Sequence, residues 1–421
     1  MQFKITTLYE ETTYTTSNEV HLRYPGTEDM DDNSTGIIWP PSYFSVPLKA
    51  QTAFNSNNII VVVAAASATN TTIDLRELTK SGTLIQTVTI PGTGANAIRV
   101  SGSATSTLYA SNSNDGSLFC FTGHNTTNTT SNVNTLQSSK VVVAVGNDAI
   151  PSVATTYTGS GTNQTRSATT LNNSNWFIGD QGGYYTNLST SADPSGNVRS
   201  IKAFGGVAYA STASTSNPPV GVISSTTGGS FTGLSGLANG ATSRQDFYLI
   251  SSGSNGNTFD VLYVLDATSA TAGTIFKYSL VSGVWTANGT YSTGVGGFSM
   301  YAEKSGSGVD AYITTGTGAT SANSVRKIVD ASGWNVTINA TASTIYTAPT
   351  GMIIKGIAAA PKCPTVTLGT LTDATCFGSN NGTAVINSTQ FNGSYTLNGG
   401  DPQILQTTLL HFGISNRFIY G

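Results

Sequence analysis

Charge is what this chain has least of. Its 421 residues include 18 Lys and Arg and 21 Asp and Glu, 9% in all, against about 25% in an ordinary soluble domain. The net charge is −3, so there is no basic surface to neutralise phosphates, which argues against nucleic-acid binding. Long apolar runs are missing as well. The longest, Ile59 to Ala66, covers 8 residues, whereas a membrane-spanning helix takes about 20. Three cysteines, Cys120, Cys363 and Cys376, do not make the dense framework that small secreted domains rely on. Cys363 and Cys376 are spaced to pair across a hairpin, with two unrelated thiols an equal alternative, and Cys120 reads as a small buried hydrophobe.

Chemistry is scarce too. The histidines His21, His124 and His411 form no metal-ligand spacing, so no metal site is expected. His124, beside a Thr/Asn run, reads as a solvated loop residue. There is no Gly-x-Ser-x-Gly elbow. Gly92-Thr-Gly94 and Gly316-Thr-Gly318 lack dinucleotide or P-loop spacing and read as hairpin turns. The acids Glu28, Asp29, Asp31 and Asp32 lack the alternation that wraps Ca²⁺ and read as a solvated loop. The first residues lack the apolar core of a secretory signal, although the low-charge, Thr/Asn/Ser-rich composition looks extracellular. The expectation that reconciles the two is a chain without its true start. Asn-x-Ser/Thr triplets, as at Asn125 and Asn288, arise by chance in such a composition and carry little weight for glycosylation.

What the chain does have is β texture. Runs of four to eight β-branched and aromatic residues, such as Ile59–Val63, Val141–Val145, Val261–Leu265 and Val325–Val329, are separated by Gly/Ser/Asn/Thr turns every ~8–12 residues. No segment sustains helical spacing. A longer period is also present. Asp260–Asp266, Gly273–Leu280 and Gly283–Thr286 are echoed by Asp310–Thr314, Ser324–Val329 and Gly333–Val336. Four strands per unit of ~40–50 residues is the β-propeller arrangement. The expectation is an all-β protein: an irregular leader over 1–50, a propeller of about seven blades (six to eight compatible) over 51–361, and a short sandwich-like fragment over 362–421. With so few ions, closure of the ring is expected to rest on hydrophobic packing between blades.

Leu75–Pro91 and Val100–Thr105, with Leu262–Asp266 and Gly273–Trp285, resemble a family of secreted bacterial seven-bladed β-propeller proteins without an established activity. That resemblance implies a fold and no particular chemistry. Cys363–Leu368, Thr375–Ile386 and Gly393–Gly400 resemble the tandem surface repeats of Bacteroidetes gliding-type adhesins. This second resemblance implies an extracellular stalk; Leu405–Gly421 does not continue its pattern.

Most propeller acids stand beside Gly or at strand ends, where Asp accepts turn hydrogen bonds. The least turn-like segments, Asp180-Gln-Gly-Gly-Tyr-Tyr185 and Arg244-Gln-Asp246, supply the candidates for a channel mouth: Asp180, Tyr184, Tyr185, Arg244 and Asp246. The aromatics Trp176, Tyr184, Tyr185, Trp285 and Trp334 read first as packing between blades and second as sugar-stacking surfaces. No catalytic residue, metal or cofactor is expected. The reading is a monomeric, non-enzymatic, extracellular or cell-surface propeller, the recognition or structural module of an adhesin-like protein. Its expected partner is a surface polysaccharide or another extracellular protein. The rivals are a lyase or glycoside hydrolase, which needs paired carboxylates or a Tyr–Arg–acid set at the ring centre, and a sugar-binding lectin.

Overall fold

A computed structural model describes residues 19–22, 44–47, 52–159, 162–223, 230–318 and 323–363, and the strands 366–372, 382–388, 393–395, 403–405 and 409–414. Residues 1–52 form a unit of their own, in which Glu19–Leu22 pairs antiparallel with Phe44–Pro47. The leader read as irregular therefore contains a strand pair. Its acid cluster lies outside the described residues.

Six antiparallel sheets follow as blades. Blade 1 combines Ile59–Ala65, Ile73–Leu78 and Leu84–Thr89 with an innermost strand from far along the chain, Met352–Ala359. Blade 2 is Ser111–Asn112, Phe119–Asn125, Lys140–Val145 and Pro151–Thr156, with Ile98–Arg99 as a fifth strand paired to the end of Phe119–Asn125, and blade 3 is Thr165–Thr170, Trp176–Asp180 and Gly183–Tyr185. Blade 4 runs from Val198–Phe204 to Phe231–Gly233, blade 5 from Arg244–Ile250 to Val284–Ser292, and blade 6 from Met300–Ser305 to Ala340–Thr347. The first strands of blades 2 to 6 and Met352–Ala359 contact one another in a closed circuit. The molecule is a six-bladed β-propeller whose ring is sealed by pairing a late strand with an early one.

The expected count of about seven was one too high. Innermost strands begin at Thr165 and Val198, 33 residues apart, but also at Arg244 and Met300, 56 apart. Long loops in the later blades defeat division by an average, and the first run of the chain lacks its innermost strand. The internal echo is real: Val261–Ala267 and Gly273–Val281 hold the same places in blade 5 as Gly308–Thr314 and Ser324–Asp330 do in blade 6.

Ile59–Ala64 is buried at every position, because neighbouring strands and blades cover both faces. Each such aliphatic side chain contributes about 1.5–3 kcal/mol of burial. Trp176, Tyr184, Tyr185 and Trp285 are buried between sheets, as packing predicts, and Cys120 is fully buried. Beyond Pro361, Val366–Thr372, Gly382–Ser388 and Leu409–Ile414 form one sheet, so the tail after Leu405 supplies a strand. Cys363 is exposed and free, and Cys376 lies outside the described residues.

Two expectations about polar residues were wrong. His124 is 1% exposed; it is the next-to-last residue of the strand Phe119–Asn125, and its Nδ1 lies 3.1 Å from the Leu136 carbonyl of a short turn. The polar run begins only after it. Ion pairs also matter to the seams despite their rarity. Lys140–Asp180 at 3.0 Å joins blades 2 and 3, Lys202–Asp246 at 3.1 Å joins blades 4 and 5, and Lys277–Asp330 at 2.9 Å joins blades 5 and 6. All six side chains are buried. Tyr157 and Tyr263 donate to Asp180 and Asp330 at 3.1 and 2.7 Å.

Candidate functional site: a polar depression at the axis

Innermost strands of a propeller line its axis, so their side chains decide what the axis can do. In four of them the pleat is broken at the same level. Register shifts fall at Arg166, between Thr165 and Ser167; at Arg199–Ser200, between Val198 and Ile201; at Gln245, between Arg244 and Asp246; and at Lys355–Gly356, between Ile354 and Ile357. A β-bulge inserts an extra residue and re-aims its side chain. Here the residues set in the bulges are two arginines, a glutamine and a lysine.

At this level a depression of about 570 Å³ opens where the innermost strands begin. Its walls include Thr105, Ser106, Arg199, Ser243, Gln245 and Thr317. Arg199 donates through Nη1 to Ser106 Oγ and through Nη2 to the Thr242 carbonyl at 3.3 Å, and its Nε has no partner among the described residues. Arg166, 2% exposed, donates through Nη1 to Asn197 Oδ1 and to the Val198 carbonyl at 3.0 Å, and its Nε is likewise unpartnered. Burial first, and the Arg199 charge second, pull Arg166 down to about 9. The Gln245 carbonyl oxygen accepts from Tyr109 at 2.9 Å.

Lys355 is tied to the backbone beside this depression. Fully buried, its ammonium donates to the carbonyls of Ala104 and Gly318 and lies 5.8 Å from the centre of the Phe298 ring. Those carbonyls adjoin the wall residues Thr105 and Thr317, so the lysine pins two rims of the depression. The rims fit closely because Gly318 has φ +79° and no side chain; a Cβ there would run into the Thr105 carbonyl and the Phe298 ring. No carboxylate among the described residues bonds Lys355, and burial pushes it down to about 7.

The axis holds one carboxylate in this network, and it is fully occupied. Asp246 Oδ1 accepts from Ser200 Oγ at 2.6 Å and the Phe247 N–H at 2.8 Å. Its Oδ2 accepts from Ser299 Oγ at 3.0 Å, the Met300 N–H at 2.7 Å and Lys202 at 3.1 Å. Lys202 also donates to the Met300 and Ala110 carbonyls at 2.9 and 3.3 Å. A carboxylate holding five donors is a clamp between strands and has no lone pair left to take a substrate proton.

The five residues singled out from sequence fall into separate settings. Asp180 anchors the seam of blades 2 and 3 with Lys140 and Tyr157. Tyr184 packs against Phe177 with ring centres 6.0 Å apart, and Tyr185 against Tyr157 at 5.1 Å. Arg244 pairs with Asp266 at 2.9 Å and lies over the Phe276 ring. Asp246 alone reaches the axis. Sequence reasoning missed Arg166, Arg199 and Lys355; the signal available was the repeated Thr165-Arg-Ser167 and Val198-Arg-Ser200 at the head of two innermost strands.

A second depression, about 580 Å³, lies at the same end of blade 4 and shares Thr242 with the first. Asn197, Asn217, Ser214 and Thr215 face Phe231 and Ile223 across it. Among the described residues no group of three or more His, Cys, Asp or Glu is placed to hold a metal, and no helix is long and apolar enough to cross a membrane.

These features define a propeller with a polar, cation-bearing axial mouth. No family model matches the chain, and no curated protein matches it. Among solved structures it is similar to a provisionally assigned 6-phosphogluconolactonase of Bacteroides uniformis, at 13% identity over 76% of this chain and 89% of that one, with a TM-score of 0.39. It is also similar to AofleA of Arthrobotrys oligospora, at 11% identity over 74% and 91%, with a TM-score of 0.37. Likeness at that level carries no argument about ligand or reaction. Neither the seven-bladed family nor the adhesin-type repeat finds a matching model.

Proposed function

We propose that the protein is a non-enzymatic recognition module that holds a saccharide of an extracellular or cell-surface polymer at its axial mouth. The observation that carries this reading is the pairing of an open, hydroxyl- and amide-lined depression with a central carboxylate already saturated by five donors. Pockets of a few hundred Å³ with a few convergent polar groups suit a small ligand. Ser, Thr and Gln match hydroxyl groups, while hydrolysis or elimination would call for a free acid and base. The adhesin-like C-terminal residues fit a module carried on a surface stalk, and that placement is part of the proposal.

Immobilised plant, algal and bacterial polysaccharides, probed with the wild-type chain and with Ser269→Trp, test it. Ser269 lines the mouth, so the indole is expected to abolish retention while leaving thermal unfolding unchanged. New reducing ends or unsaturated sugars released from a bound polysaccharide would move the assignment to the enzyme alternative. Retention indifferent to Ser269→Trp would place the site elsewhere.

A further inference from the structure

Arg199 lines the depression, Arg166 and Lys355 are buried close to it, and none of the three is bonded to a carboxylate among the described residues, an arrangement short of a counter-charge. Arg166 and Arg199 come from adjacent blades. The Arg166 guanidinium rests on the carbonyl of Val198, the residue before Arg199, and the unpartnered Nε of each is buried. Among the described residues, Lys140, Lys202, Lys277 and Arg244 each meet an aspartate, whereas Arg326, like these two arginines, rests on a backbone carbonyl with its Nε unpartnered. Arg166, Arg199 and Lys355 each sit at a bulge in an innermost strand, where the regular alternation of side chains is interrupted. Ser106 and Gln245 add neutral polar groups beside the arginines.

From this we infer that the axial mouth contains an oxyanion seat, formed by Arg199 with Arg166 behind it, that takes the carboxylate or sulfate group of an acidic saccharide. The inference rests on the recognition reading and narrows its ligand class. Arg199 presents a planar fork suited to two anionic oxygens, and Ser106 gives up its bond to Arg199 or shares it with the ligand. Arg166, 2% exposed, acts as a fixed positive charge behind the fork; it is a positioning residue. Lys355 keeps its two carbonyl bonds to the backbone beside Thr105 and Thr317.

The test has two arms. Thermal unfolding is followed in sodium sulfate against sodium chloride of equal ionic strength, for wild type, Arg199→Gln and Arg199→Lys. Sulfate stabilises folded chains in general, so the seat predicts a rise in wild type that exceeds the rise in Arg199→Gln by several degrees, with Arg199→Lys in between. Binding is then measured for oligogalacturonate, its neutral methyl ester and a sulfated galactan oligomer. At least one anionic oligomer should bind tenfold or more tighter than the neutral ester, and Arg199→Gln should erase that difference; which anion wins separates carboxylate from sulfate. Equal sulfate response in wild type and Arg199→Gln overturns the seat. Neutral and acidic saccharides binding alike also overturn it while sparing the recognition reading. An Arg199-dependent sulfate effect without retention of any saccharide leaves the seat standing and removes the saccharide reading.

Discussion

Replacing Asp246 with Ala should be among the most damaging single changes to this ring. The carboxylate joins Ser200 and Lys202 of blade 4 to its own strand in blade 5 and to Ser299 and the Met300 N–H at the entry to blade 6. Truncation leaves the Lys202 ammonium, 3% exposed, with two carbonyls and no counter-charge, and strands the Met300 N–H. Breaking a buried ion pair by removing one partner costs about 3–5 kcal/mol. At ~2–4 °C per kcal/mol for a large domain, the unfolding midpoint should fall by roughly 6–20 °C. Equilibrium urea unfolding followed by tryptophan fluorescence measures the cost directly. Adding Lys202→Met to Asp246→Ala should recover part of the loss, because the second change removes the orphaned charge. An Asp246→Ala midpoint within about 1 kcal/mol of wild type, or a double variant as costly as the sum of the singles, would refute the clamp.

Three further outcomes follow from buried groups. Tyr263→Phe, which deletes the 2.7 Å donor to Asp330, should cost about 1.5–3 kcal/mol by urea unfolding, the range for a bond to a charged group. Burial drives His124 down to about 4, so between about 4 and 6.5 the unfolded chain holds a proton that the folded one refuses. Stability should therefore fall as pH drops through that window, and His124→Asn should flatten the slope; an unchanged slope would refute the assignment. Burial raises the Cys120 thiol far above the usual range, whereas Cys363 is exposed. Peptide mapping after iodoacetamide treatment of the native protein should find Cys363 alkylated and Cys120 untouched.

The fold was legible because its signal is local. β-branched runs such as Ile59–Val63 and Val261–Leu265 became strands, and the echo between Asp260–Trp285 and Asp310–Trp334 fell on equivalent strands of neighbouring blades. The ring closure was hidden, since nothing in Met352–Ala359 says that it belongs with Ile59–Ala65 some 290 residues earlier. The site was legible only in part. Asp246 stood out because Arg244-Gln-Asp246 lacks turn residues, but Asp180, from an equally unusual segment, proved to be a seam anchor. Arg166, Arg199 and Lys355 sit in strands that look ordinary. What re-aims them is a bulge, a mismatch between two paired strands, and a mismatch cannot be read from one strand alone.

Scarcity of charge gives the placement of each ion its meaning. Lysine is almost never fully buried without a partner, yet Lys140, Lys202, Lys277 and Lys355 are all buried. Three face aspartates across seams, where each pair fixes the register of two blades. Lys355 faces the carbonyls of Ala104 and Gly318 and the Phe298 ring, and burial holds it at about 7 against 10.5 in the open chain. From about pH 7 upward the unfolded chain therefore carries a proton that the folded one has shed, and stability should rise with pH. Below about 7 both states hold the proton and this contribution is flat. Arg166 adds a slope of the same sign only above about 9, and burial lowers Lys140 and Lys202 as well, so the share of Lys355 in urea midpoints between pH 7 and 8.5 is the part that its substitution removes. Lys355→Met should reduce the slope across that window, whereas a slope unchanged by the substitution would mean that the lysine stays charged in the folded protein.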